Sequence, residues 1–342
     1  MELKRGVNFG GWLSQCVHTI EHYDSFIMPE DFERVFAMGF DHIRLPVDSN
    51  VIEDADGGVI RRGYSYIDMA AEQCAKHGLG LIIDLHKAYG YDFNDAGDSE
   101  KNSLFNNDYL KDRFIGLWES VASRYGSEKY SSYVAFELLN EVVEAENNDP
   151  WNDLVDRAVK AIRAIAPDTT IIYGGICWNC ATTLKLLREP VSDKIIYTFH
   201  FYEPLLFTHQ QAGWVPALKD GGNHGYPQTM EYFRSESKAL GYQGGAVMNC
   251  SARTMGTEFI TEMVSEAVAA ARKAGVGLYC GEFGVIDRAP VEDSHRWFED
   301  VDSVFRSFDI ACAVWSFKKM DFGLIDEHYD PIRDRMLALW NK

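Results

Sequence analysis

Short, nearly continuous apolar runs recur along the chain at 3–9, 40–46, 79–85, 133–139, 169–174, 194–201, 276–282 and 310–317. They are rich in β-branched and aromatic residues, the pattern of strands buried on both faces. Between them lie stretches with helical spacing at 29–38, 64–77, 108–126, 151–165, 181–188, 257–274 and 293–307, and a last one near 331–340. Pro29 followed by Glu30 and Asp31, Asp108, and Asp149 with Pro150 read as helix starts. Gly78 and Gly275 read as helix stops. Strands alternating with helices over 342 residues predict a (β/α)8 barrel. A doubly wound sheet is the competing architecture, but no G-x-G-x-x-G follows the first strand.

The regular alternation breaks once. The stretch 203–256 is too long for a plain loop in a compact domain and predicts an inserted subdomain with a short helix near 228–239. It leaves the sixth strand at its C-terminal end, the end at which barrel active sites lie. Otherwise the whole of 1–342 reads as one catalytic barrel, with 203–256 over its cleft.

Composition narrows the function classes. Lys and Arg number 33 against 52 Asp and Glu, a net charge of −19, which argues against nucleic acid or an anionic membrane as partner. No apolar run is long enough to span a bilayer. No secretory leader is visible, so the chain is expected in the cytoplasm, or secreted with its leader removed, and as a monomer. The seven cysteines are an odd number in mostly apolar settings and predict free thiols. Cys177-Trp178-Asn179-Cys180 matches C-x-x-C but has no second pair at zinc spacing. No cofactor and no metal are expected.

In a barrel, polar residues at strand C-terminal ends carry the chemistry. Here those ends hold His42 and Arg44; Asp84, His86 and Lys87; Asn140, Glu141 and Glu144; His200 and Tyr202; Glu282; and Trp315. Glu137, a carboxylate inside an apolar strand, needs a buried partner, and Arg44 is the candidate. Asn140 and Glu141 are adjacent, so both reach one cleft only if their strand is irregular at its end. Each residue alone reads more readily as an ordinary ion pair or a satisfied core position than as a catalyst. Two glutamates at the ends of strands four and seven change the picture. Hydrolysis of a glycosidic bond needs one carboxyl group as acid and a second carboxylate across the anomeric carbon.

The chain resembles glycoside hydrolase family 5, and within it bacterial endo-β-1,4-glucanases. The resemblance rests on Gly6 to Trp12, Gly39 to Pro46, Ile83 to His86, Phe136 to Glu141, Phe199 to Tyr202, Gly281 to Gly284 and Val314-Trp315, in the family's order. It is supported further by 278–284 and Lys318 to Phe322. It implies a retaining mechanism with Glu141 as acid/base and Glu282 as nucleophile. Arg44 and Tyr202 would hold the nucleophile, Asn140 the sugar 2-hydroxyl, and His200 the acid/base. His86 and Trp315 would form the floor and wall around the reacting sugar. Trp178 and Asn179 would extend the glycan cleft. Lys87 and Val142 depart from the family's usual His and Pro. The aromatic residues that open the insertion also bear on the cleft: Phe207 and His209 are expected to line it, and Trp214 fits cleft or core equally.

The expected substrate is therefore a β-glucan, cellulose-type or mixed-linkage. A β-mannanase or glucomannanase is the alternative on the same scaffold. A metal-dependent barrel hydrolase would draw on Asp84, His86, His200 and Glu282, but its usual H-x-H on strand one is replaced by Asn8 and Gly10. A non-catalytic glycan-binding barrel is disfavoured by the presence of both glutamates.

Overall fold

The computed structural model describes residues 3–341. Eight parallel strands close into a barrel in sequence order, β1 pairing with both β2 and β8. They are β1 (Arg5–Asn8), β2 (His42–Asp48), β3 (Gly80–Lys87), β4 (Val134–Glu137), β5 (Thr170–Gly174), β6 (Ile195–Phe201), β7 (Gly277–Phe283) and β8 (Ala311–Val314). The fold is the expected (β/α)8 barrel. No helix among the described residues is long and apolar enough to cross a membrane.

The helices form because their apolar residues fall on one stripe. In Asn148–Ile165 the buried positions include Trp151, Leu154, Val155, Ala158, Val159 and Ile162, a helical repeat that packs on the strands. Helix Arg61–His77 stops at Gly78 and helix Thr257–Ala274 at Gly275, both with φ near +70° (71° and 68°), a region open to glycine without a Cβ clash. Asn107, not Asp108, caps Asp108–Tyr125, its side chain accepting from the backbone N–H groups of Tyr109 and Leu110.

The predicted helix at 181–188 is instead a 3-10 segment, Ala181–Leu186. Thr183 donates its hydroxyl to the carbonyls of Ile176 and Cys180, a local bond that competes with α-helical geometry. A helix that the pattern did not predict, Ile20–Phe26, follows β1 and is capped by Thr19.

Inside the barrel a dry layer of Ile82, Ala135, Ile172, Tyr279 and Ala313 closes the lower end. Above it the inward residues turn polar. Residues 203–256 hold three short helices, Leu205–Thr208, Met230–Glu236 and Gly245–Asn249, with a 3-10 stretch Ser237–Gly244. Their buried side chains, among them Phe207, Leu218, Tyr226 and Phe233, are continuous with the core between barrel and outer helices. Gly244 and Gly245 lie within helical backbone. All seven cysteines are free thiols, four of them buried.

Candidate active site

The site is organised by one guanidinium. Arg44, fully buried, projects from β2 into the polar end of the barrel. Its Nε and Nη2 donate to Glu137 Oε2 and Oε1 at 2.7 and 3.0 Å, so the partner expected for Glu137 is the one found. Nη1 donates to Glu282 Oε1 at 2.7 Å and to Asn8 Oδ1 at 3.0 Å. Nη2 also reaches Asn140 Oδ1 at 2.8 Å and Asp84 Oδ2 at 3.1 Å. Three carboxylates around one cation hold Arg44 firmly protonated against its burial. Burial pushes Asp84 and Glu137 up to about 7 even beside that cation.

Two irregularities aim the glutamates. β4 ends at Glu137, after which the Leu138 N–H bonds to Ile172 O and the Asn140 N–H to Leu85 O on the other flank. The chain thus swings between its neighbours, and consecutive Asn140 and Glu141 both reach the cleft. In β7 the register slips against β6, Phe199 opposing Cys280 and His200 opposing Glu282. A bulge of this kind re-aims a side chain that strict alternation would send to the other face.

Glu141 and Glu282 meet at His200. Nδ1 of His200 lies 2.7 Å from Glu141 Oε1 and 3.6 Å from Glu282 Oε2. One donor atom from each of the three residues falls within 4.8 Å of the others. Among the described residues this is the set that could hold a metal ion, although Arg44 already supplies positive charge at Glu282. The environments of the two carboxyls differ. Glu282 accepts from Arg44 and from the Tyr202 hydroxyl at 2.9 Å. Burial raises it on balance, and Arg44 and the Tyr202 hydroxyl offset part of that rise. Among the described residues Glu141 has no such cation bonded to it. Burial and the neighbouring charge of Glu282 push it well above the carboxylate range. One carboxyl group is therefore suited to hold a proton while the other gives one up, the division of labour acid and nucleophile need.

His86 and Trp315 stack with ring centroids 5.8 Å apart and planes 3° from parallel. Nδ1 of His86 bonds to Asp84 Oδ2 at 2.7 Å, and burial lowers the imidazole to about 4, so the ring is neutral. Gly10 lies under the indole; a Cβ there would sit 2.7 Å from it. Lys87 turns to Asp92 at 2.6 Å. Val142 is buried, and its carbonyl accepts from the Trp178 N–H at 3.2 Å. Trp178 is half-buried at the end of β5 in a turn where Cys177, Trp178 and Asn179 all have φ near +55° (56°, 57° and 55°).

Two expectations fail on burial. Phe207 is fully buried, 5.2 Å from the Tyr226 ring, and belongs to the core of 203–256 rather than to a cleft surface. The residue spacing placed it near Tyr202, but the one-turn helix that carries it rotates it inward. Asn179 is fully buried too. His209 meets Tyr202 edge-on at 4.9 Å, and Trp214, 53% exposed, packs on His209 at 6.0 Å and Phe322 at 6.4 Å. Sequence reasoning missed Asn8, which also donates to Gly281 O at 2.9 Å, and Gln15, 3.1 Å from His86 Nε2. Asn8 had a signal: it is a polar residue at the C-terminal end of the first strand.

The family whose sequence description is cellulase (glycosyl hydrolase family 5) matches residues 6–321. Cellodextrinase A of Ruminococcus flavefaciens is 39% identical over 91% of this chain and 84% of its own length. Endoglucanase C of Acetivibrio thermocellus is 38% identical over 99% and 98%. Among solved structures, Cel5A of Thermotoga maritima in complex with mannotriose superposes with a TM-score of 0.74 at 25% identity, covering 99% of this chain and 97% of that one. With the family matched from the first strand to the loop beyond the eighth, and relatives this similar along nearly their whole length, the chain belongs to glycosyl hydrolase family 5 and is a glycoside hydrolase of the cellulase type.

Proposed function

We propose that the protein is a retaining endo-β-1,4-glucanase acting on cellulose-type or mixed-linkage β-glucans, with Glu141 as acid/base and Glu282 as nucleophile. The observation that carries this is the meeting of the two glutamates at His200 in unlike surroundings. Retaining enzymes hold their carboxyl groups about 5–5.5 Å apart, too close for an intervening water. Oxygens within 4.8 Å fit that spacing better than the wider inverting one.

The steps follow from the contacts. Glu282, ionised beside Arg44 and Tyr202, attacks the anomeric carbon. Glu141 gives its proton to the departing glycosidic oxygen, so the bond breaks without releasing an alkoxide. The glycosyl-enzyme ester on Glu282 is then hydrolysed by a water that Glu141, now a carboxylate, deprotonates. Asn140, oriented by Arg44, offers its amide N–H to the sugar 2-hydroxyl, and the His86–Trp315 stack borders the same sugar. Trp178 and the exposed Trp214 extend the cleft on either side, and residues 203–256 flank it as an inserted subdomain. The relatives named for endoglucanase and cellodextrinase activity support a β-glucan substrate. The mannotriose complex of Cel5A, which has also been solved with cellobiose, keeps glucomannan as the second reading.

The test is Glu141→Ala with added azide on an aryl β-glucoside. The expected product is a β-glycosyl azide, formed by attack on a Glu282 ester. Recovery of the α-azide, or ordinary turnover by Glu282→Ala, overturns the assignment. Product patterns on cello-oligosaccharides, mixed-linkage β-glucan and mannan then rank the substrates.

A further inference from the structure

Thr198 and His200 stand two residues apart on β6 and share its inward face. Barrel interiors are usually filled by bulky side chains. Here two glycines flank Thr198 instead, Gly174 opposite it on β5 and Gly281 on β7. A Cβ at 281 would lie 3.0 Å from Thr198 Oγ1 and 3.2 Å from His200 Nε2, so both atoms border the space that glycine leaves free. A Cβ at 174 would lie 1.8 Å from Asn179 Oδ1 and 2.6 Å from Thr198 O, so the Asn179 side chain folds in on the other side of Thr198. Thr198 Oγ1, His200 Nε2 and both amide atoms of Asn179 are buried without a hydrogen-bond partner among the described residues. Thr198 and Asn179 are fully buried and His200 is 6% exposed. Unpaired polar atoms in such a place are costly, and a water with two to four polar partners relieves them.

The other ring nitrogen limits what this site does. Nδ1 faces Glu141 at 2.7 Å. In the state with the acid proton on Oε1, that O–H is donated to Nδ1, and it turns from Nδ1 to the glycosidic oxygen when the bond breaks. The neutral imidazole then has its single proton on Nε2, and that N–H needs an acceptor of its own. None of the described residues provides one.

We propose that Thr198 is a positioning residue that holds a buried water against His200 Nε2, in the space Gly281 leaves free, fixing the imidazole with its proton on Nε2 and its Nδ1 lone pair toward Glu141. This rests on Glu141 being the acid/base. An acceptor at Nδ1 favours the protonated carboxyl and disfavours the carboxylate. It therefore keeps the acid loaded before bond cleavage and sharpens the base afterwards. No proton leaves the ring at any step.

The test compares Thr198→Val, which removes the hydroxyl at nearly constant shape, with Thr198→Ser, which keeps it. In the valine variant the alkaline limb of kcat/KM on a cello-oligosaccharide should move to lower pH by about one unit. The rate on that substrate should fall about tenfold, the worth of one hydrogen bond, while a good-leaving-group aryl glucoside is affected less. Serine should restore both. The other groups that face the pair, Glu282, Arg44, Asp84, His86, Glu137 and Tyr202, are unchanged in these variants, so a moved limb reports the hydroxyl. An unmoved limb in folded valine variant, or no restoration by serine, overturns the proposal. Should the valine variant not fold, 15N spectra of the wild-type histidines decide: protonated Nε2 with unprotonated Nδ1 supports it, and the reverse tautomer overturns it. Azide rescue of Glu141→Ala reports on Glu141 alone, so rescue with an unmoved valine limb leaves the acid/base standing and removes only the water site.

Discussion

The hydroxyl of Tyr202 donates to Glu282 Oε2 at 2.9 Å, while Arg44 takes the other oxygen of the same carboxylate. Both bonds favour the ionised form. Removing the phenol oxygen in Tyr202→Phe should raise the pKa of Glu282. Since kcat/KM requires Glu282 ionised, the acid limb should then move to higher pH, by about one to two units for a bond to a charged group. A pH profile on a soluble β-glucan checks this, and an acid limb that stays put would count against Glu282 as the ionised partner.

Arg44→Lys keeps the charge but not the fork. A lysine cannot satisfy Glu137 at two points while also reaching Asn8, Asn140 and Glu282. The variant should fold with lower stability and lose roughly a hundredfold or more in kcat/KM, as expected when a preorganised charge is misplaced. Arg44→Leu should cost about 3–5 kcal/mol in urea denaturation, because buried carboxylates are left without their cation.

Gly10→Ala puts a methyl group where the Trp315 indole now lies, 2.7 Å from its nearest ring atom. The indole must tilt off His86. Activity should fall about ten- to a hundredfold, the effect of an ångström-scale displacement at the reacting sugar. Near-ultraviolet circular dichroism should register the altered tryptophan.

Phe207 and Trp214 separate by burial. Phe207→Ala should cost about 3–5 kcal/mol through the cavity it opens against Tyr226. Trp214→Ala, at an exposed position, should leave stability within about 0.5 kcal/mol. It should weaken cleavage of cello-oligosaccharides more than of an aryl glucoside. Equal loss on both substrates would remove Trp214 from the cleft.

The barrel was legible because parallel strands covered on both faces must be apolar throughout, and each run from 3–9 to 310–317 overlaps its strand, with β2, β3 and β7 running one or two residues past it. Partnership of Arg44 with Glu137 was legible for a related reason: a charge in a dry strand has few ways to be satisfied. What the pattern could not give was rotation. Phe207 sits five residues past Tyr202, and only the one-turn helix Leu205–Thr208 decides that it faces inward. The slip of β7 against β6 was equally hidden, since one unpaired residue leaves no mark on hydrophobic periodicity. Ala181–Leu186 was misread because its helical spacing is real, while the local Thr183 side-chain bonds that tighten it leave no mark on that spacing.

Because Phe207, Tyr226 and Phe233 fill space between the barrel and its outer helices, residues 203–256 cannot be treated as a detachable accessory. Tyr226 is bonded through its hydroxyl to Asp300 and through its N–H to Asp293, both on helix Val291–Ser307. Shortening this segment to make a minimal catalyst would uncover greasy surface on the barrel wall and invite aggregation. A graft onto another barrel would have to carry the matching face of that helix with it.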